Sequence, residues 1–440
     1  MKELFRNRLF VRLFLASFAS QLGTTVGNMA FAFYLLDRFA AQPGYASLAE
    51  LMYSLPTLFV FFLVGVVADR YDRQRIAANS AWIRLGLTAI LFGSIWLGVL
   101  PLIFAVLFLR SAVAKFYAPA ETALLQGILH KEQYISASGL NQMLFGVFML
   151  FGVGIGAIAY TMIGIYGAVA IDAFGFLTAG CLLQTCSFPK GVRSPGKGEA
   201  QPDERIARSG LSLSRMVADF REGLHYIRQR PLLMALIAGF FLFGFLNGGF
   251  AILPMFTMKY KLAPDEYKTF SSLFALFLGA GLFLGSGIAP TIVKRWKPHG
   301  TILAALLLSG ILMTVLGFVD QPWVYLGLVF GLGFLIAPLN VAIGGWIPSL
   351  VDPSMMGRVT AWNDPVLMLG QSITLGLVTL LYPGTLSLLA LYLALAGLML
   401  TAFLLFAFTL PRLSRQAEAA AEAPSTVMAD PSSLSSTIVD

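Results

Sequence analysis

The sequence predicts an all-α membrane protein: twelve transmembrane helices in two pseudo-symmetric six-helix bundles. Three observations carry that prediction. Apolar runs recur along the chain, each near the twenty or so residues an α-helix needs to cross a bilayer. The loops between them alternate between strongly basic and nearly uncharged. The two halves echo each other at an offset of about 220 residues, as tandem membrane repeats do.

Composition agrees. The 440 residues are 58% hydrophobic and 12% charged, with mean hydropathy +0.79. Soluble globular chains do not have this composition. The net charge of +8 is gathered in particular loops, so membrane orientation accounts for it and no nucleic-acid partner is expected. Cys181 and Cys186 share one apolar run and read as reduced packing residues, with neither a disulfide framework nor metal spacing. No metal and no cofactor are expected. Met1 to Arg12 is basic and leads into an apolar run without a small-residue cleavage site, so it reads as an uncleaved first helix.

The first bundle, residues 1–187, takes its spans from Leu13 to Leu36, Ala46 to Ala68, Ile76 to Gly98, Leu102 to Leu124, Ser136 to Tyr160 and Tyr166 to Ser187. The second, residues 232–412, takes Leu232 to Phe256, Phe270 to Val293, Thr301 to Phe318, Trp323 to Ile343, Trp362 to Leu381 and Leu386 to Leu410. One set of loops carries Lys2, Arg6 and Arg8, then Arg70, Arg73 and Arg75, then Lys131, then the long basic linker, then Lys294, Arg295 and Lys297, then Arg358, then Arg412 and Arg415. The other set holds little beyond Arg38, Lys259, Lys261 and Lys268. Positive loops stay inside, so both termini and the linker at 188–231 are expected in the cytoplasm. The first part of that linker is rich in Pro, Gly and Ser and reads as a flexible strap. Its second part puts Met216, Phe220, Leu224 and Ile227 on one helical face, as in a helix lying on the membrane surface or under the bundle. The tail at 413–440 is Ala-, Ser- and Glu-rich and is expected to be disordered.

The internal echo is visible residue by residue. Ala118-Pro119 matches Ala337-Pro338, Ala123 matches Ala342, and Glu121 corresponds to Asn340. Gly65 and Arg73 correspond loosely to Gly285 and Lys294. The second copy of the charged turn keeps its bases and has lost the aspartate.

That turn, Gly65-Val66-Val67-Ala68-Asp69-Arg70-Tyr71-Asp72-Arg73-Gln74-Arg75, lies between two spanning runs and is far too short to be a domain. Gly65 lets another helix approach the end of the second span. Asp69 and the arginines can pair with each other or with nearby helix ends, which pure anchoring would not require. Inside the membrane, charge is costly and so needs a role. Arg110 lies near the middle of the fourth span and Asp172 within reach of it on the sixth, either as a protonation-sensitive pair or as a permanent ion pair that sets packing. Arg84 is expected to snorkel toward the near end of the third span or to join the Asp69 cluster. Lys115 and Glu121 occupy the inner half of the fourth span, with Glu121 beside the Pro119 break. Gln21, Thr24, Thr25 and Asn28 share a face of the first, Asn247 is mid-depth on the seventh, and Gln371 and Ser372 on the eleventh. These polar groups either line a cavity or bond helix to helix.

The Gly-x-x-x-Asp-Arg-x-x-Arg string between the second and third spans resembles the signature loop of the major facilitator superfamily. Phe116-Tyr117-Ala118-Pro119-Ala120, Asp172-Ala173-Phe174-Gly175-Phe176, Arg221-Glu222-Gly223-Leu224 with Arg230-Pro231, and Gly357-Arg358-Val359 resemble its bacterial drug-export branch, which includes macrolide exporters and the enterobactin exporter. Two features depart from that branch: the fifth span has Gly152, Gly154 and Gly156 without the Gly-Pro pair of the proton antiporters, and Arg110 is followed by Ala114 where glycine is usual. The resemblance implies a monomeric secondary active exporter in the bacterial cytoplasmic membrane, moving a drug-, macrolide- or siderophore-like molecule by alternating access. It implies that Gln21, Thr24, Asn28, Arg110, Asn247 and Gln371 border the substrate cavity. Asp172, Arg110 and Glu121 are the candidates for proton coupling. Gly65, Asp69, Arg70, Arg73, Arg75, Arg358 and Asp364 are the candidates for a gate in which the Asp69 turn closes on the start of the eleventh span. The alternatives on the same fold are a lipid or lysolipid flippase and, more remotely, a non-transporting sensor. A membrane enzyme would need His, Asp or Glu clustered at one face, and His130, His225 and His299 fall in separate loops. No Gly-x-x-x-x-Gly-Lys-Ser/Thr string is present, so energy is expected from an ion gradient, protons first, and not from ATP.

Overall fold

The computed structural model describes residues 2–129, 131–193, 213–351, 355, 359 and 362–422. All regular structure among them is helical. In chain order the helices are α1 (Lys2–Arg6), α2 (Arg8–Arg38), α3 (Gly44–Ser54), α4 (Pro56–Arg70), α5 (Arg73–Leu97), α6 (Leu100–Ile128), α7 (Lys131–Thr185), α8 (Lys190–Arg193), α9 (Leu213–Arg228), α10 (Pro231–Thr257), α11 (Tyr267–Phe318), α12 (Pro322–Leu350), α13 (Asn363–Leu381) and α14 (Leu388–Glu422). Among the described residues, 9 stretches are long and apolar enough to cross a membrane. Their outer surface stays apolar, with Trp96, Phe283 and Phe408 among the large exposed side chains, as lipid contact requires.

Two of the helices fold back on themselves. α7 leaves helical geometry at Gly164, φ 68°, a left-handed position that glycine takes without a Cβ clash. Its arm before Gly164 brings Gly152 to Thr25 and Gly156 to Met29, parallel to α2; the arm after it brings Asp172 to Gly23 and Gly175 to Ala19, antiparallel. α11 breaks at Lys297, φ 60° and ψ 160°, the residue before Pro298, where proline's ring pushes its predecessor out of the helical region. The second span was expected as one helix from Ala46 to Ala68. It is interrupted at Leu55, because Pro56 offers no N–H to the preceding turn; Leu55 itself keeps helical angles, φ −56° and ψ −39°, so the chain continues as a bent rod.

In the first half α2 packs along both arms of α7, and α5 packs on α6 and α7. In the second, α10 packs on α13, and α11 on α12 and α14. Close approach of backbones sets both. A Cβ at Gly175 would lie 2.5 Å from the Ala19 carbonyl oxygen, and one at Gly244 would lie 2.1 Å from that of Leu367. The halves meet where α3 and α4 pack on α13 and where α7 packs on α11. Helix α9 packs against α10 and α4, under the bundle. α14 continues past residue 412 to Glu422; the predicted strap at 194–212 and the tail at 423–440 lie outside the described residues.

Candidate functional site

The centre of the first half is charged. Arg110 on α6 forms an ion pair through Nη2 with Oδ2 of Asp172 on α7. Both side chains are buried, Asp172 fully, against Gly23 and Gly27 of α2. Arg84 on α5 joins them and so corrects the expectation for this residue: it neither snorkels outward nor reaches the Asp69 turn. Its Nη2 donates to Thr24 Oγ1 at 2.7 Å and its Nη1 to Ser20 Oγ at 3.3 Å. The guanidinium lies 4.0 Å from the ring centre of buried Phe176, and that of Arg110 lies 5.5 Å from it. Asp172 is ion-paired to Arg110 with Arg84 in electrostatic range, and the π face of Phe176 takes up part of the remaining positive charge. Arg84 turns inward because a hydroxyl pair and a ring are closer partners than the interface two turns away.

This centre extends in both directions. Ser17 on α2 donates to the Glu121 carboxylate and lies 3.1 Å from the Tyr117 hydroxyl. Tyr117 is in electrostatic range of both Glu121 and Arg84. On the other side, Tyr53 of α3 is in range of Arg110, Asp172 and Glu50. Asp172 Oδ1 and the Tyr53 hydroxyl are buried without a hydrogen-bond partner among the described residues. Ionisable groups thus run from Glu121 to Glu50 through the first half. Glu50 is absent from the sequence-derived candidates. It stands in an apolar run beside an open loop, and only its spacing of three from Tyr53 hinted that it faces inward.

The remaining predicted cavity residues separate. Thr24 is used by Arg84. Gln21 is exposed, and Asn28 and Gln371 are half-buried. Asn247 Nδ2 reaches the Phe243 carbonyl of its own helix at a long 3.4 Å. Ser372 lies 3.4 Å from Ser54, hydroxyl to hydroxyl, where α13 crosses α3.

In the charged turn, Asp72 caps α5, its Oδ1 accepting from the Arg75 amide at 3.0 Å. Its Oδ2 accepts from Arg193 Nη2 at 2.7 Å and Nε at 2.9 Å. Arg73 reaches the Val192 carbonyl at 3.4 Å, and Arg75 is mostly exposed. Burial pushes the Asp72 carboxyl up, but Arg193 and the backbone amides outweigh it and hold it below the usual carboxylate range. The turn is therefore tied to the segment after α7. The side chains of Gly65, Asp69 and Arg70, and the whole of Arg358, lie outside what is described. Asp364, in the first turn of α13, is exposed and within electrostatic range of Lys115 on α6, across the seam between the halves.

A second charged cluster sits at the opposite end. Asp37, in the last turn of α2, accepts from Lys259 at 2.9 Å, Lys268 at 2.9 Å and the Tyr267 hydroxyl at 2.6 Å. Lys268 also lies 4.6 Å from the ring centre of Tyr160 on α7, and Tyr260 donates to the Ala40 carbonyl at 2.9 Å. All these contacts cross from one half to the other. Sequence reading counted the two lysines as loop charge and passed over Asp37.

Among the described residues, the second half has no counterpart of the charged centre. Where α10, α11, α12 and α14 surround one point, it holds an apolar cavity of about 230 Å³, with Phe243, Leu306, Leu339 and Met399 in its wall and Asn340 as its one polar side chain. Cys181 and Cys186 are free thiols, and no metal-binding cluster occurs among the described residues.

A helical chain with several membrane-spanning stretches, an apolar exterior, buried ionisable groups and a seam crossed by ion pairs has the build of a membrane transporter. It belongs to the Major Facilitator Superfamily, whose profile matches residues 13–375. Among its relatives is the uncharacterized MFS-type transporter YkuC of Bacillus subtilis, 52% identical over 416 residues, 94% of this chain and 95% of the relative. Macrolide efflux protein A of Streptococcus pyogenes is 23% identical over 83% of this chain and 87% of its own length. Solved structures share the fold. A peptide transporter POT has a TM-score of 0.69 at 14% identity, covering 92% of this chain and 95% of that one. A bacterial homologue of the iron transporter ferroportin, in its inward-facing state, has 0.66 at 15%, covering 91% and 98%.

Proposed function

We propose that the chain is a secondary active exporter of small amphipathic organic molecules, coupled to protons and working by alternating access in the bacterial cytoplasmic membrane, with both termini cytoplasmic. The observation that carries this reading is the Asp37 cluster. Ion pairs that join the halves at this end can break and re-form as the halves rock. Counting α3–α4 as one span, and each arm of α7 and α11 separately, gives twelve spans in two six-helix bundles. These bundles are residues 1–187 and 232–412, joined by 188–231 and followed by the tail at 413–440.

Proton coupling falls to Asp172 with Arg110 and to Glu121, with Glu50 added. Protonating Asp172 releases Arg110, and the freed guanidinium must then find another anion or be stabilised by Phe176 and solvent. Gln21, Asn28, Asn247 and Gln371 border the route, with Thr24 holding Arg84 in place. Gly65, Asp69, Arg70, Arg73, Arg75, Arg358 and Asp364 form the gate at the end opposite Asp37. The efflux direction draws support from the macrolide efflux relatives. The protein acts as a monomer, with the bilayer its only other partner.

The test is a panel of macrolides, siderophores and lipophilic amines in proteoliposomes under an imposed pH gradient. Accumulation that collapses with a protonophore is the expected result. Accumulation indifferent to the gradient would remove the proton, and movement of phospholipid in place of every panel member would make the protein a flippase.

A further inference from the structure

We infer that the apolar cavity of the second half is a subsite for an aryl or short alkyl group of the transported molecule, with Asn340 binding a neutral polar group at its mouth. This rests on the transport reading above and adds a substrate class to it: a neutral amide- or hydroxyl-bearing aromatic or aliphatic compound. Three observations converge. The first is volume. A cavity of about 150 Å³ lined by Leu, Ile and Phe stays dry and takes up benzene. The cavity here, about 230 Å³ with walls of the same kind, has room for a substituted aromatic ring or a chain of several methylenes.

The second is the single polar group. Asn340 is exposed while its neighbour Leu339, also in the wall, is buried, so the amide marks the open side of the cavity. An amide offers one acceptor and two donor hydrogens and carries no charge. It suits an amide or hydroxyl and gives no compensation to a buried ion. The third is the internal repeat. Asn340 stands where the first half has Glu121, whose carboxylate is held by Ser17 inside a polar centre. The first copy of this position belongs to a network of ionisable groups, and the second borders an apolar void. One fold has thus separated charge handling from apolar recognition between its two copies.

The wall also supplies a clean perturbation. Gly344 lines the cavity, and a Cβ placed there meets nothing within 4 Å, so Gly344→Leu adds bulk at the cavity wall without a backbone clash. Gly287 is equally open but lies outside the cavity, so Gly287→Leu makes the matched control. The probe is an N-alkyl benzamide carrying a trifluoromethyl-diazirine on its ring. Full-length protein in proteoliposomes is irradiated with it and the adducts are mapped by mass spectrometry. Adducts are expected on cavity residues such as Phe243, Leu339 and Met399, falling at least tenfold in Gly344→Leu and unchanged in Gly287→Leu. Adducts elsewhere, or adducts indifferent to Gly344→Leu, would overturn the proposal. So would labelling of the same residues by a phosphatidylcholine with a diazirine in its acyl chain that also displaces the benzamide, since the cavity would then hold membrane lipid. Transport is measured separately. Gradient-driven export with an unlabelled cavity defeats the subsite alone, while a labelled cavity in a protein that exports nothing defeats the transport reading and leaves the site standing.

Discussion

Replacing Asp37 by Asn should open the protein at the Asp37 end. The change keeps the size of the side chain and removes its charge, so the two ammonium groups, each 2.9 Å from the carboxylate, are left facing one another. The side chains involved are 13–32% exposed, which places each pair near the upper end of partly solvated ion pairs, about 1 kcal/mol. The Tyr267 hydroxyl, 2.6 Å from the same carboxylate, adds about 1 kcal/mol more, of which Asn retains a part. Every one of these contacts spans the two halves, so they stabilise only the state closed at this end, and their loss shifts the equilibrium by its full differential value. A total of about 2–3 kcal/mol corresponds to roughly a 30- to 150-fold change in the ratio of closed to open. Spin labels at Ala41 and Asp265, both exposed, report the opening by pulsed dipolar spectroscopy once Cys181 and Cys186 have been replaced by Ser. The distance distribution should move from the closed to the open population in Asp37→Asn. An unchanged distribution would refute the idea that these ion pairs hold the halves together.

Other consequences are as direct. Arg110→Met leaves a buried Asp172 carboxylate without its partner and should cost about 3–5 kcal/mol of stability, whereas Arg110→Met with Asp172→Leu should regain much of that loss while transport stays abolished. Monodisperse yield and thermal unfolding separate the two, and a double variant no more stable than the single would argue against a buried ion pair. Gly175→Leu should prevent α7 from seating on α2, because its Cβ would meet the Ala19 carbonyl oxygen at 2.5 Å, while Gly86→Leu, with open space around it, should purify normally. Equal yields would contradict the close packing described. Asp72 has a carboxyl held below the usual range, so its contribution to stability is complete at neutral pH and is lost as pH falls through the depressed value. Thermal unfolding of Asp72→Asn should lack that acid limb, though it keeps the cap on α5, and matching pH profiles for the two proteins would exclude the Arg193 pairing as a stabilising contact.

The helices and their charged turns were legible in the sequence because they rest on local quantities: run length, loop charge and the positions of proline and glycine. The proximity of Arg110 and Asp172 could be anticipated because depth along a helix can be counted, while the choice between a protonation-sensitive and a permanent pair could not. Arg84 was misassigned because its partners Ser20 and Thr24 come from another helix, and helix rotation about its axis is not fixed by an apolar run that has no polar face. Asp37 escaped for a similar reason. Next to Arg38 it looks like ordinary helix-end charge, and its role depends on Lys259 and Lys268, which sit more than 200 residues away at helix ends of the other half. The cavity in the second half was illegible because a void is a property of several facing surfaces, and Phe243 or Met399 reads as plain packing in any one of them.

Helix α9 has a consequence of its own. Phe220 stacks on Trp362 with ring centres 3.6 Å apart, accepts a hydrogen bond from its indole nitrogen at 3.1 Å through its carbonyl, and lies 5.4 Å from the ring of Phe61 on α4. The segment that joins the halves covalently is therefore also a keystone, seated across the joint between α4 and the start of α13. At this end the molecule cannot part as two bodies alone. Either α9 travels with one of them and abandons its ring contacts with the other, or it slips out of the joint and leaves both. Under the alternating-access reading proposed above, the link between the halves would help to set the barrier for their separation, and Phe220→Ala would alter the rate of opening at this end without touching any residue assigned to the transport route.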